Sequence, residues 1–205
     1  MKTVAIIDYG MCNLDSVGRA VEKCGGKYLI SRNPAELYNT DGIILPGVGN
    51  FSEAMIELKK RSFIPIIQNL VLVEKLSFLG ICLGMHLMAD KGYEGGETTG
   101  LGLIPGTVER LRPDSENTRI PHIGWNEVQL KKETLLFQGI KNNTDFYFVH
   151  SYQYVCDEHY IIGKTSYCGN FNSVIGHENS YGVQFHPEKS LKFGLQIITN
   201  FLELC

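Results

Sequence analysis

Leu76-Ser77-Phe78-Leu79-Gly80-Ile81-Cys82-Leu83-Gly84-Met85-His86-Leu87-Met88 is an apolar run that breaks at a cysteine and resumes with helical character. Glycine flanks the cysteine at minus two and plus two. That is the glycine–x–nucleophile–x–glycine pattern of a sharp strand-to-helix turn, with Cys82 in the nucleophile position. Both flanking positions are glycine because the turn is too tight for a Cβ on either side. A thiol held there meets the free N–H groups and positive dipole end of a helix, which favour thiolate.

Upstream of this turn the sequence alternates strand and helix signals. Val4–Ile7 is a buried-strand run ending in Asp8-Tyr9-Gly10, and residues 13–24 carry Leu14, Val17, Val21 and Cys24 at helical spacing before Gly25-Gly26. Tyr28–Ile30 and Gly42–Leu45 are further strands, the second running into Pro46-Gly47-Val48-Gly49, and residues 51–60 and 63–74 read as helices. This rhythm predicts an α/β fold with a mixed, largely parallel central sheet and helices on both faces. Downstream, segments 106–111, 126–130, 146–155, 160–167, 172–177 and 181–185 read as strands joined by short turns, which predicts additional antiparallel strands in the C-terminal half. Leu191, Leu195, Ile198, Phe201 and Leu202 form one apolar stripe, so the chain should end in a docking helix. Gly92–Gly102, with five glycines and two threonines, reads as a mobile loop near the cysteine. No linker or internal repeat divides the chain, so 1–205 is expected to be a single domain.

The bulk numbers agree with a globular protein: 205 residues, 43% hydrophobic, 20% charged. A net charge of −3 gives no reason to expect nucleic acid. The six cysteines (12, 24, 82, 156, 168 and 205) are scattered without a C-x-x-C pair, so neither a metal site nor a disulfide framework is expected. Free thiols suit a reducing compartment, and no stretch reaches membrane-spanning length or signal-peptide form. The expected location is the cytoplasm.

A cysteine nucleophile needs a base. Among six histidines, His186 stands out in Tyr181-Gly182-Val183-Gln184-Phe185-His186-Pro187-Glu188. The alternating apolar residues make a strand, and the proline biases His186 towards an extended conformation. Two residues on, Glu188 then points the same way and can hold one ring nitrogen while the other faces the thiol. H-P-E alone would be an ordinary strand end; together with the cysteine turn it becomes a triad. The Pro46-Gly47-Val48-Gly49 turn follows a buried parallel strand, where backbone N–H groups can face a ligand as an oxyanion hole requires. The residue after the nucleophile, Leu83, supplies the second N–H. Phe146-Tyr147-Phe148-Val149-His150-Ser151-Tyr152 is a core strand that delivers polar groups at its end, so His150 either binds substrate or is satisfied in place, and the site is the favoured reading. His122, His159 and His177 read as surface or hydrogen-bonded histidines, and the other five cysteines as packing residues.

With Gly80–Met85, Pro46–Gly49 and Gly182–Ser190 in this order, the sequence resembles the class I, triad-type glutamine amidotransferases along essentially its whole length. Pro121-His122-Ile123-Gly124-Trp125-Asn126 and Tyr147–Tyr152 narrow the resemblance to HisH-type glutaminase subunits of imidazole glycerol phosphate synthase. The resemblance implies a flavodoxin-like amidotransferase fold, Cys82 as nucleophile, His186 as base and acid, and Glu188 as orienter. It implies that Val48, Gly49, Leu83, His86, Glu94, His150, Ser151 and Tyr152 surround L-glutamine. One departure stands out: the family usually has glutamine where this chain has His86, which changes reach and hydrogen bonding. No cofactor or metal is implied.

Such an enzyme would release ammonia from glutamine, and ammonia is useful to an acceptor only while neutral. The fold uses the whole chain, so the acceptor site is expected on a separate protein. By resemblance that partner is a HisF-type (β/α)8-barrel cyclase subunit in a heterodimer of histidine biosynthesis, and Pro121, Ile123 and Trp125 are the expected docking residues. Trp125 would serve equally as a core side chain. Other functions keep the same motifs: a paralogue feeding a surface-sugar amidotransferase, or a cysteine peptidase or γ-glutamyl hydrolase on the same scaffold. A non-catalytic regulatory subunit would not need all of Cys82, His186 and Glu188.

Overall fold

The computed structural model describes residues 1–116 and 118–205. The first half runs β1 (Thr3–Ile7), α1 (Leu14–Lys23), β2 (Lys27–Ser31), β3 (Gly42–Gly47), α2 (Phe51–Lys60), α3 (Phe63–Gln68), β4 (Ser77–Cys82) and α4 (Leu83–Leu87). The second half adds β5 (Lys91–Gly92), β6 (Thr98–Thr99), β7 (Thr107–Arg110), β8 (His122–Leu130), β9 (Thr144–His150), β10 (Tyr152–Val155), β11 (Ile161–Ser166), β12 (Asn170–His177), β13 (Ser180–Val183) and α5 (Leu191–Leu204).

Five strands in the order β2-β1-β3-β4-β13 are parallel, and from β13 onward the pairing with β12, β11, β10 and β7 is antiparallel. Strand periodicity divides the core. Ala5, Ile7, Ile43 and Leu45 pack with the apolar residues of α2, α3 and α4, whereas Val4, Ile6 and Ile44 pack with those of α1 and α5. Strands β3 and β4 are therefore buried on both faces, as helix-covered parallel strands must be. The expected mixed α/β sheet with helices on both sides is the observed one.

Local structure departs from the sequence expectations in four places. The helix over 63–74 does not continue as an α-helix: beyond Gln68 it widens into a π-helical segment, Asn69–Val73. Glu74 N–H bonds to Asn69 C=O, and the wider turn keeps both Leu70 and Val71 buried. The strand expected over 146–155 is two strands, because the chain leaves the β8 ladder at His150 and joins β7 from Tyr152. Strand β8 also starts at His122 rather than 126, so the Pro121–Asn126 segment lies along a paired strand. The Gly92–Gly102 segment contains part of the small hairpin of β5 and β6.

The cysteine turn depends on two close backbone approaches. A Cβ on Gly80 would lie 2.6 Å from the Gly84 carbonyl oxygen, and one on Gly84 would lie 1.7 Å from that of Leu45. Both obstacles are backbone, so neither can yield cheaply. Gly84→Ala is expected to destabilise the fold by about 3 kcal/mol or more, the upper range for overpacking. Urea unfolding with an unchanged m-value would measure it; a loss under about 1 kcal/mol would contradict the close approach.

Candidate active site

Cys82 closes β4 and takes φ 53° and ψ −109°, a conformation that L residues rarely adopt. The residue is buried, and its sulfur lies 3.6 Å from the Val149 carbonyl oxygen. Helix α4 behind it has only five residues, so the favourable dipole expected from sequence is that of little more than one turn. The first N–H groups of a helix have no intrahelical acceptor, and that of Leu83 is the first of them here.

His186 arrives through the parallel pairing of β13 with β4, in register Val183 with Ile81. Its N–H donates to the Tyr147 carbonyl at 2.9 Å, while its own carbonyl accepts from the Ser190 hydroxyl at 2.7 Å. The imidazole is therefore fixed from both sides of its peptide. Glu188 reaches it as the sequence suggests but by another route. The chain is extended at His186 and then enters a 3-10 turn over Pro187–Lys189, with proline fixing the first residue of that turn. This places Glu188 Oε1 2.9 Å from His186 Nδ1, with both side chains buried. Nε2 is left to face Cys82, which lines the same cavity and favours the charged ring. Burial opposes the charged imidazolium, but hydrogen bonds and charge from Cys82 and Glu188 outweigh it and raise His186 to about 10. The second oxygen of Glu188 is buried without a partner among the described residues.

A cavity of about 320 Å³ opens over this pair. Val48, Gly49, Leu83, His86, Glu94, His150, Ser151 and Tyr152 all line it beside Cys82 and His186, while Glu188 stands behind His186. Pro121, expected only at a docking surface, also lines the cavity; Ile123 and Trp125 do not. Val149 and Lys189 belong to the lining and were not foreseen. Lys189 could have been suspected from Glu188-Lys189-Ser190, which follows the histidine directly. Val149 had no such signal, because it contributes a backbone carbonyl.

Several lining residues are less free than sequence suggests. His150 has both ring nitrogens engaged: Nδ1 lies 2.8 Å from the Tyr152 carbonyl and Nε2 3.0 Å from Nδ1 of His122. The carbonyl can only accept, so Nδ1 of His150 donates and its Nε2 accepts from His122. Burial lowers His150 to about 3 and His122 to about 4, so both are neutral at pH 7. Of the two readings expected for His122, surface or hydrogen-bonded, the structure has the second, with the ring buried. His86 is also buried, with Nε2 2.6 Å from Gln184 Oε1, and burial lowers it to about 4 despite that bond. Glu94 accepts the Phe51 N–H at 3.0 Å at the start of α2, and partial burial raises its carboxyl. The Val48 N–H donates to the Met11 carbonyl at 2.9 Å, so this candidate oxyanion donor is already in use.

Against known proteins, residues 5–204 match the model of the class I glutamine amidotransferase family. The chain belongs to the class I glutamine amidotransferases. It is 47% identical to imidazole glycerol phosphate synthase subunit HisH of Methanocaldococcus jannaschii, covering 98% of this chain and 99% of that protein. It is 45% identical to HisH 1 of Campylobacter jejuni strain RM1221, over 98% of this chain and all of that protein. The fold is shared with a crystal structure of a glutamine amidotransferase at TM-score 0.77 and 17% identity, covering 98% of this chain and 97% of that one. It is shared also with a chain of the PurLQS structure from Thermotoga maritima at TM-score 0.72 and 17% identity, over 99% of both chains.

Among the described residues of this amidotransferase, no group of three or more His, Cys, Asp and Glu is arranged to hold a metal ion, and no helix is long and apolar enough to cross a membrane. The raised His186 value carries a definite sign. Its contribution to stability is fully present below the ordinary histidine value near 6.5 and is lost as pH rises through about 10. NMR titration of the His186 ring is expected to give a midpoint well above 6.5. Glu188→Gln and Cys82→Ser should each lower it, and an unshifted midpoint in both variants would contradict the coupled arrangement.

Proposed function

We propose that this chain is the glutaminase subunit of an imidazole glycerol phosphate synthase. It would hydrolyse L-glutamine and hand ammonia to a (β/α)8-barrel cyclase that makes imidazole glycerol phosphate and an aminoimidazole carboxamide ribotide in histidine biosynthesis. The observation that carries this reading is the buried Cys82–His186–Glu188 chain at the elbow, in a sequence 43–47% identical over nearly its full length to HisH subunits. Six free cysteines suit a reducing cytoplasm.

In the proposed reaction the Cys82 thiolate adds to the side-chain amide carbon of glutamine. His186, as imidazolium, gives its proton to the amide nitrogen, the carbon–nitrogen bond breaks, and ammonia leaves a γ-glutamyl thioester. Water then gives a proton to His186 and adds to the thioester; the carbon–sulfur bond breaks, releasing glutamate and restoring the thiolate. Glu188 holds the ring on Nδ1 and stabilises its charged form. The Leu83 N–H is the first oxyanion donor. The Val48 N–H can join it only by leaving Met11, and one missing donor costs about a hundred- to a thousandfold in rate.

The docking reading is supported by an exposed apolar row. Ile123 and Trp125 alternate on one face of β8 with exposures of 60% and 49%, so Trp125 is not a core residue. Trp125 sits opposite Tyr147 of β9, the rings 6.0 Å apart, and Pro121 joins this row to the rim of the cavity. A partner seated here would cover the cavity mouth and receive ammonia without exposing it to water.

The test is glutamine hydrolysis with and without the cyclase and its acceptor ligand. Turnover should rise strongly with both present, and Cys82→Ala should abolish it; turnover by Cys82→Ala, or full rate without a partner, would contradict the proposal. Trp125→Ala is expected to weaken binding of the cyclase by about 2 kcal/mol, roughly thirtyfold, as loss of an interface anchor does. Calorimetric titration of one protein with the other would measure it.

A further inference from the structure

Gln184 lies one residue beyond β13, is wholly buried, and does not line the cavity. The reaction above gives it no task. Its backbone N–H is tied to the Ser173 carbonyl at 2.9 Å, and its side-chain amide spans two groups. Oε1 lies 2.6 Å from His86 Nε2, and Nε2 lies 3.9 Å from the Cys82 sulfur. His86 is neutral and carries one ring proton. A 2.6 Å contact with an amide oxygen requires that proton on Nε2, since two lone pairs would repel. The amide is then oriented with its oxygen towards His86 and its NH2 towards sulfur. The reversed amide would turn a second carbonyl oxygen on a sulfur that already faces that of Val149. Around a thiolate such an arrangement is unfavourable.

We propose that His86 and Gln184 form a positioning relay for the nucleophile: His86 orients the Gln184 amide, which donates to the Cys82 sulfur and favours its thiolate. The inference rests on the reading of Cys82 as nucleophile. It also gives His86 a task that the family's usual glutamine can perform, because a side-chain NH2 can donate to Gln184 Oε1 in the same way. The other titratable groups around the sulfur are His186, backed by Glu188, then Glu94, His150 and Lys189 of the same cavity lining, and Tyr9 from beyond β1.

The test is alkylation of the full chain by iodoacetamide across pH, followed on the peptide bearing Cys82 by mass spectrometry. His86→Leu and Gln184→Leu should each slow alkylation at pH 7 by about tenfold and move the profile up by about one pH unit, the equivalence set by a tenfold proton equilibrium. The double variant should be no slower than Gln184→Leu alone, and His86→Gln should restore the profile. In glutamine turnover Gln184→Leu should lower kcat with KM unchanged. Where a leucine variant does not fold, Gln184→Met serves instead, since it keeps the length of the side chain but offers the sulfur no N–H donor. An unmoved profile in His86→Leu or in Gln184→Met, additive losses in the double variant, or a change confined to KM would overturn the relay. Failure of the nucleophile assignment is distinguishable, because Cys82→Ala would then still hydrolyse glutamine whatever the alkylation profile.

Discussion

The parallel pairing of β13 with β4 is the constraint on which the site depends. It joins residues a hundred positions apart in register, so the two strands deliver their last residues to the same edge of the sheet. There the chains separate. Gly84, pressed against the Leu45 backbone, turns the Cys82 strand sharply into α4, while the other chain runs on through Gln184 to His186. Without the first pairing there is no imidazole near the thiol. Without the turn the thiol would point into a packed sheet.

Electrostatics then separates histidines that share similar burial. His86, His150 and His186 are all nearly inaccessible, and desolvation pushes each towards neutrality. The first two face an amide oxygen, a backbone carbonyl or another neutral imidazole, none of which can hold a full positive charge against that cost. His186 faces a carboxylate and the Cys82 sulfur, and its protonation is favoured instead. One residue type is thus held in its charged form in one position and as a neutral hydrogen-bonding group in two others.

Much of this was legible in the sequence because it is local. The glycine spacing around Cys82 marks the turn, the 3.6 and 2 periodicities mark helices and strands, and His186-Pro187-Glu188 places an imidazole and the carboxylate that meets it within three residues. What was not legible depends on tertiary partners. Sequence could not show that Gln184, an unremarkable strand residue, meets both His86 and Cys82. Nor could it show that the nitrogens of His150 are consumed by His122 and Tyr152, or that Val48 donates to Met11. The break at Ser151 was missed for the same reason: both flanking segments favour strands, and only the change of partner from β8 to β7 divides them. The route to Glu188 was misjudged because proline suits a 3-10 turn as readily as an extended chain.

The most direct test of a covalent role for Cys82 is acid quenching of the chain during glutamine turnover, followed by mass spectrometry of its peptides. A γ-glutamyl thioester on the peptide containing Cys82 is the expected result. An unmodified Cys82 during turnover shown by the same quench to acylate a different residue would contradict it.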